Sequence, residues 1–137
     1  MTATLQYIGQ IRTQYRTLQE CPRNIDPQGP VCKLVVEQDY SAGMTGLEKG
    51  QLILVLYWFE HADRNDLVQK RHNTGQECGV FALRSPHRPN PIAAAVVTIE
   101  GFETNTILVR GLDCLDRTPL LDIKPALVNE SVNIRCD

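Results

Sequence analysis

Gln51-Leu52-Ile53-Leu54-Val55-Leu56-Tyr57-Trp58-Phe59 is the stretch on which the reading of the fold turns. Every residue from Leu52 to Phe59 is apolar or aromatic, yet the run is far short of the ~20 residues a membrane-crossing helix requires. Turn formers bound it, Ser41 to Gly50 with three glycines before and the polar His61 to Glu77 after, so it reads as a strand. Both alternations are apolar, which predicts that both faces are covered, as in a closed barrel or at a subunit interface. Ile92 to Ile99 reads the same way.

Runs rich in β-branched and aliphatic residues recur at Thr4 to Thr13, Val31 to Glu37, Cys78 to Leu83, Ile92 to Glu100 and Thr106 to Leu112. With Gln51 to Phe59 they make six candidate strands. Pro22 to Pro30 and Arg84 to Pro91, each with three prolines, are turn clusters. Gly101 predicts a hairpin whose loop runs over Phe102 to Asn105. Sustained helical periodicity and internal repeats are absent. The expected fold is all-β, a compact antiparallel β-barrel with few short helices, forming a single domain over 1–137.

At 137 residues with 42% hydrophobic and 22% charged side chains, the chain has the composition of an ordinary globular domain, large enough to fold without staples. A formal net charge of −2 gives no general attraction to a polyanion, so nucleic-acid binding would need a local patch. Five cysteines, an odd number with no C-x-x-C pair, predict free thiols rather than a disulfide framework or zinc site. The N-terminus lacks the apolar core of a signal peptide, which predicts a cytoplasmic protein and makes the sequon at Asn129 inert.

Three segments look chemical. In Arg84-Ser85-Pro86-His87-Arg88-Pro89-Asn90-Pro91 the prolines fix an irregular path that presents Arg84, His87, Arg88 and Asn90. A barrel-end connection with surface arginines is the plain alternative. Local charge favours the first reading: from Lys70 to Arg88, Lys70, Arg71, Arg84 and Arg88 stand against Glu77 alone, which suits an anionic ligand. The second segment, Gly111-Leu112-Asp113-Cys114-Leu115-Asp116-Arg117-Thr118-Pro119 with Leu121-Asp122-Ile123-Lys124-Pro125, punctuates acids with apolar residues. Asx turns at Asp113 and Asp116, and an Asp122–Lys124 pair, are its structural reading. The third is Phe59-Glu60-His61, where the apolar strand ends. His61, His72, His87 and Cys78 match no standard metal-ligand spacing, so no metal is expected.

Val80-Phe81-Ala82-Leu83-Arg84-Ser85-Pro86-His87-Arg88-Pro89-Asn90-Pro91-Ile92, followed by Leu112-Asp113, Leu115-Asp116, Thr118-Pro119 and Leu121-Asp122-Ile123-Lys124-Pro125, resembles the two signature stretches of the TsaA-like, or TrmO-type, family. Ile8 to Arg12, Pro22-Arg23 and Gly46-Leu47-Glu48 extend the resemblance over nearly the whole chain. It implies a dimeric β-barrel that binds S-adenosylmethionine without the Rossmann glycine fingerprint, absent here. It implies methyl transfer to N6 of threonylcarbamoyladenosine beside the anticodon of transfer RNA. A small-molecule methyltransferase and a non-catalytic cofactor sensor are the alternative functions.

Residue by residue, the resemblance implies a cofactor pocket at Arg23, Asn24, Glu60, His61, Arg84, Ala94, Gly111, Leu112 and Asp113. The methionine carboxylate wants a guanidinium and the ribose hydroxyls want an acid. His87 and Asp116 are candidate bases for the acceptor proton, with solvent as a third, and Arg88, Asn90, Arg117 and Lys124 are candidate substrate contacts. This chain departs from the family pattern at Ala93 and Arg117, where the family carries glycine, and at Ala126, where it carries tyrosine. It also ends soon after the second stretch, where longer members continue, which predicts weaker RNA affinity.

Overall fold

The computed structural model describes residues 1–127; Asn129 and Cys136 lie outside them. Nine strands follow one another: β1 (Gly9–Arg12), β2 (Val31–Val36), β3 (Leu52–Trp58), β4 (Val68–Lys70), β5 (Glu77–Gly79), β6 (Ile92–Thr98), β7 (Gly101–Glu103), β8 (Thr106–Arg110) and β9 (Thr118–Pro125). Helical structure is confined to 3₁₀ segments at Leu18–Glu20, Gln38–Met44 and Val80–Ala82. Among the described residues no helix is long and apolar enough to cross a membrane.

Seven strands form one antiparallel sheet in the order β6-β3-β9-β1-β2-β8-β7, and β4 pairs with β5 as a separate two-stranded arm. The closed barrel expected from the sequence is therefore corrected: the sheet is open, and no ladder joins β6 to β7 or β8 among the described residues. The physical reason lies in the connection. β6 and β7 stand at opposite edges of the sheet but only Ile99 and Glu100 separate them in the chain. Two extended residues reach at most ~7 Å, so the sheet curls until its edges meet at that one corner. There Ile99 N donates to Gln51 O at 2.9 Å and Glu100 N to Leu108 O at 2.7 Å.

The inner face of the curl carries the core. Ile53, Val55 and Tyr57 alternate inward from β3 and meet Ile11, Leu34, Val97, Ile107, Val109, Leu112 and Leu120, all nearly inaccessible. Each such aliphatic side chain contributes roughly 1.5–3 kcal/mol on burial. The outward alternation of β3, Leu52, Leu54, Leu56 and Trp58, stands beside Thr98, Val96, Ala94 and Ile92 of β6. That face is apolar yet only partly covered: Leu52 is 43% exposed, Ile92 42% and Val96 53%.

Four differences from the sequence reading concern local structure. Only Gly9–Arg12 of the Thr4 to Thr13 run is a strand. Cys78 to Leu83 splits into the end of β5 and a 3₁₀ turn. The hairpin at Gly101 is tight, since β7 pairs directly with β8 and the turn rests on Asn105 at φ 54°. Thr118–Pro125, which is not among the six candidate strands, is the interior strand β9, held between β1 and β3. Its ladder with β3 skips Leu121, a bulge directly beside Tyr57. Cys21, Cys32, Cys78 and Cys114 are free thiols, as expected.

Candidate functional site

At one end of the sheet the start of β6, the end of β3 and three connecting loops enclose a pocket of about 450 Å³. The β3–β6 ladder pairs Tyr57 with Ala93 and Leu56 with Ala94, which places the two alanines in its wall. Arg23, Asn24 and Ile25 enter from the proline-rich segment after the first 3₁₀ turn; Arg84, Arg88 and Asn90 enter from the loop before β6, and Asp113 from the loop after β8. Phe59 and Ile92 complete it.

The Arg84–Pro91 loop has no regular backbone ladder, and side chains fix it instead. Arg88 Nη1 donates to the carbonyl oxygens of Leu83 (2.9 Å) and Ser85 (3.0 Å), and Nη2 donates to that of Val80 (2.9 Å). This planar fork gathers three carbonyl oxygens around the loop, of which Val80 O also accepts from Leu83 N at 3.1 Å. Arg64 Nε donates to Pro89 O at 2.7 Å, Nη2 reaches Asn90 Oδ1 at 3.4 Å, and the guanidinium lies 5.2 Å from the Trp58 ring centroid. Arg84, held in this frame, is exposed and makes no ion pair among the described residues.

Across the pocket the Tyr57 hydroxyl donates to Asp113 Oδ1 at 2.8 Å. Burial pushes the Asp113 carboxyl above the usual carboxylate range, a trend the Tyr57 bond partly opposes. Burial likewise raises the Tyr57 phenol, which stays protonated and remains a donor. Asp113 is positioned by Gly111, whose φ of 78° is natural only to glycine. A Cβ there would collide with Asp26 O. The close approach lets Asp26 N donate to Gly111 O at 2.9 Å, and Gly111 N donate to Pro30 O at 2.9 Å. That clasp ties the Arg23–Ile25 segment to the Asp113 loop.

The structure thus brings together Arg23, Asn24, Arg84, Ala94 and Asp113 of the cofactor set with Arg88 and Asn90 of the substrate set. Gly111 and Leu112 support the pocket from behind, Leu112 as a fully buried core residue. The remaining positions lie elsewhere. Glu60 and Arg117 line a second cavity of about 350 Å³ with Tyr7, Gln10 and Glu37, while exposed His61 lines neither cavity. Lys124 pairs with Asp122 at 3.1 Å on an exposed rim.

Asp116 accepts from Arg12 Nε at 2.8 Å and from Thr13 N at 3.0 Å. Burial alone would raise its pKa, but these partners outweigh it and hold the carboxyl below the usual range. His87 Nδ1 accepts from Asp63 N at 2.9 Å, so the lone pair of the neutral ring is occupied. Among the described residues no group of three His, Cys, Asp or Glu side chains is arranged to hold a metal.

Tyr57, Phe59, Ile25 and Ile92 are the pocket residues that motif reading missed. The only signal for Tyr57 was its place: it carries the one hydroxyl in the inward alternation of an otherwise aliphatic strand. Chemically, the pocket joins a free guanidinium, a half-buried carboxylate with one engaged oxygen, and apolar walls. A ligand with a carboxylate at one end, hydroxyls in its middle and a flat aromatic group at the other end fits that set.

Comparison with known proteins places these observations in a family. Residues 10–130 match the family model described as the tRNA-methyltransferase O N-terminal domain. The chain is 40% identical over 123 residues to a probable S-adenosyl-L-methionine-binding protein, VirR, of Rhizobium radiobacter, covering 90% of this chain and 70% of that one. It is 38% identical over 120 residues to an S-adenosyl-L-methionine-binding protein of Archaeoglobus fulgidus, covering 88% and 86%. The crystal structure of TrmO from Pseudomonas aeruginosa superposes with a TM-score of 0.76 at 31% identity, covering 100% of this chain and 61% of the solved one. The chain therefore spans about three fifths of that solved chain. The resemblance carried by the two signature stretches is borne out, and the chain belongs to the tRNA-methyltransferase O N-terminal domain family.

Proposed function

We propose that the chain is an S-adenosylmethionine-dependent methyltransferase whose acceptor is N6 of threonylcarbamoyladenosine beside a transfer RNA anticodon. The observation that carries the reading is the placement of Arg84 and Asp113 in one pocket between the walls formed by Ile25, Phe59, Ile92 and the two alanines. The guanidinium suits the methionine carboxylate, and the Asp113 oxygen not taken by Tyr57 suits a ribose hydroxyl. The apolar walls suit the adenine, and a volume of about 450 Å³ is in the range of cofactor sites.

When bound, the sulfonium supplies an electrophilic methyl group. The protein's part is to orient. The Arg88 and Arg64 hydrogen bonds stiffen the loop that carries Arg84, and the Gly111–Asp26 clasp fixes the opposite wall, so that rate is gained from position rather than from a dedicated base. His87 Nδ1 is already an acceptor for Asp63 N, and Asp116 is committed to Arg12. The proton on the acceptor nitrogen is accordingly assigned to solvent.

The same reading includes a homodimer. Its surface is the outer face of β3 and β6, which is apolar and continuous with the pocket through Ile92 and Ala94.

Thermal melting with S-adenosylmethionine, S-adenosylhomocysteine and ATP tests the reading first. A rise in Tm with the first two alone is expected, and no rise at saturating ligand would sink it. Arg84→Ala should lower cofactor affinity by about tenfold or more without lowering the Tm of the free protein. Transfer of labelled methyl to threonylcarbamoylated transfer RNA, and not to unmodified transcript, tests the acceptor. Transfer to a small amide instead would move the substrate to another class.

A further inference from the structure

Phe81 is the most exposed aromatic side chain among the described residues, at 84%. Its backbone is not loose. Its neighbour Val80 is buried, and Val80 N donates to Leu67 O at 2.9 Å, which anchors the 3₁₀ turn to the segment entering β4. Three carbonyl oxygens of the same turn are held by guanidinium groups: Val80 O and Leu83 O by Arg88, each at 2.9 Å, and Ala82 O by Arg71 at 3.4 Å. The phenyl ring is therefore presented to water from a fixed frame, at the cost of leaving its apolar surface uncovered.

The surroundings are cationic. Arg71 and Arg88 flank the ring's own turn, Lys70 lies on β4, and Arg84, three residues on, lines the pocket. Glu77, opposite Lys70 in the β4–β5 ladder, is the single acid from residue 70 to residue 88. An aromatic face among cations fits a base stacked on a ring while its phosphates meet exposed Lys70 and Arg84, the pattern of single-stranded nucleic-acid recognition. A second copy of the chain fits poorly, because a two-fold contact would set these cations against themselves. The uncharged outer face of β3 and β6 serves that purpose better.

We infer that Phe81 is a stacking platform for an unpaired RNA base next to the nucleotide that enters the pocket. The inference rests on the proposal that the substrate is RNA, and it names a contact that positions that substrate. It explains why an exposed phenylalanine is rigidly held beside a ligand pocket it does not line.

The test uses the full chain with two probes: a fluorescently labelled RNA stem-loop with an unpaired adenosine-containing loop, and a fully paired RNA duplex of equal length. Phe81→Ala and Phe81→Leu should each weaken stem-loop binding about tenfold, whereas Phe81→Trp, which keeps a π face, should stay within about twofold of wild type. Duplex binding and the S-adenosylmethionine melting shift should be unchanged in all three. Stem-loop affinity in Phe81→Leu equal to wild type would overturn the inference, as would equal losses on loop and duplex. A change of sedimentation mass in Phe81→Ala would overturn it in favour of self-association. If the wild-type protein shows the cofactor shift but binds no stem-loop, the RNA reading itself fails; loop binding indifferent to Phe81 fails the stacking contact alone.

Discussion

Tyr57 and Asp113, fifty-six residues apart in the chain, meet in a hydrogen bond of 2.8 Å that joins the end of the apolar strand β3 to the pocket carboxylate. The bond gives a core residue a role in the site. Tyr57→Phe keeps the ring and its edge-on contact with Phe59 at 5.5 Å, and removes only the donor. A half-buried carboxylate then loses a partner, at a cost of about 1–3 kcal/mol. Denaturant unfolding should register that loss, and calorimetry should show weaker cofactor binding. A variant as stable as wild type would mean that water replaces the phenol without penalty.

The titration of Asp113 has a definite sign. Because burial holds its carboxyl above the usual range, the folded state keeps a proton over a pH window in which the unfolded chain has released it. The stability this group contributes is therefore fully present at acid pH and is lost as pH rises through the raised value. Asp113→Asn removes that component, so unfolding free energies measured from about pH 3 upward should show the variant gaining on wild type as pH rises. A difference independent of pH would place the carboxyl at its ordinary value.

Gly111→Ala combines a left-handed backbone with a collision, its Cβ falling on Asp26 O. The loss of stability should be at least about 3 kcal/mol, at the severe end for a single methyl group. Because the clasp with Asp26 also holds the Arg23–Ile25 wall, any folded fraction should bind cofactor weakly. Circular dichroism melting and ligand titration on the same sample separate the two effects.

Arg117 carries φ 68°, a left-handed conformation that costs a non-glycine residue roughly 1 kcal/mol. The resemblance drawn from the signature stretches implies glycine here. Arg117→Gly should raise unfolding free energy by a few tenths to about 1 kcal/mol, the relief of strain being partly offset by the freer unfolded chain. A loss of stability would show that the guanidinium makes a contact worth more than the strain.

Much of the sheet was legible because β2, β3, β6 and β8 carry runs of β-branched and aliphatic residues. β9 was not. Pro119, Asp122, Lys124 and Pro125 argue against a central strand by local propensity, and only the ladders to β1 and β3 on either side override them. Barrel closure was equally out of reach, since alternation shows that a face is covered without showing which edge meets which.

In the site, Arg84 and Asp113 stood out as polar islands in signature stretches. Asp116 and Lys124 stood out for the same reason, yet Arg12 and Asp122 already satisfy them. Charge in a motif marks a polar position; only the fold tells whether its partner is a ligand or a neighbour. Tyr57 shows the converse, a pocket residue concealed in the segment that most clearly belongs to the core.

The interior position of β9, between β3 and β1, has a consequence for how the chain is made. Synthesis delivers β1, β2, β7 and β8 as one half-sheet and β3 with β6 as another, and each half presents an unpaired edge. The strand that bridges them is the last of the nine to be translated. Until residue 125 has left the ribosome, the two halves have no shared ladder, and Ile11 waits for a partner at residue 118, more than a hundred positions downstream. Such distant pairings make for slow closure. The nascent chain's exposed β1 and β3 edges are where a chaperone, or a stray strand from another polypeptide, would compete with β9 for its place.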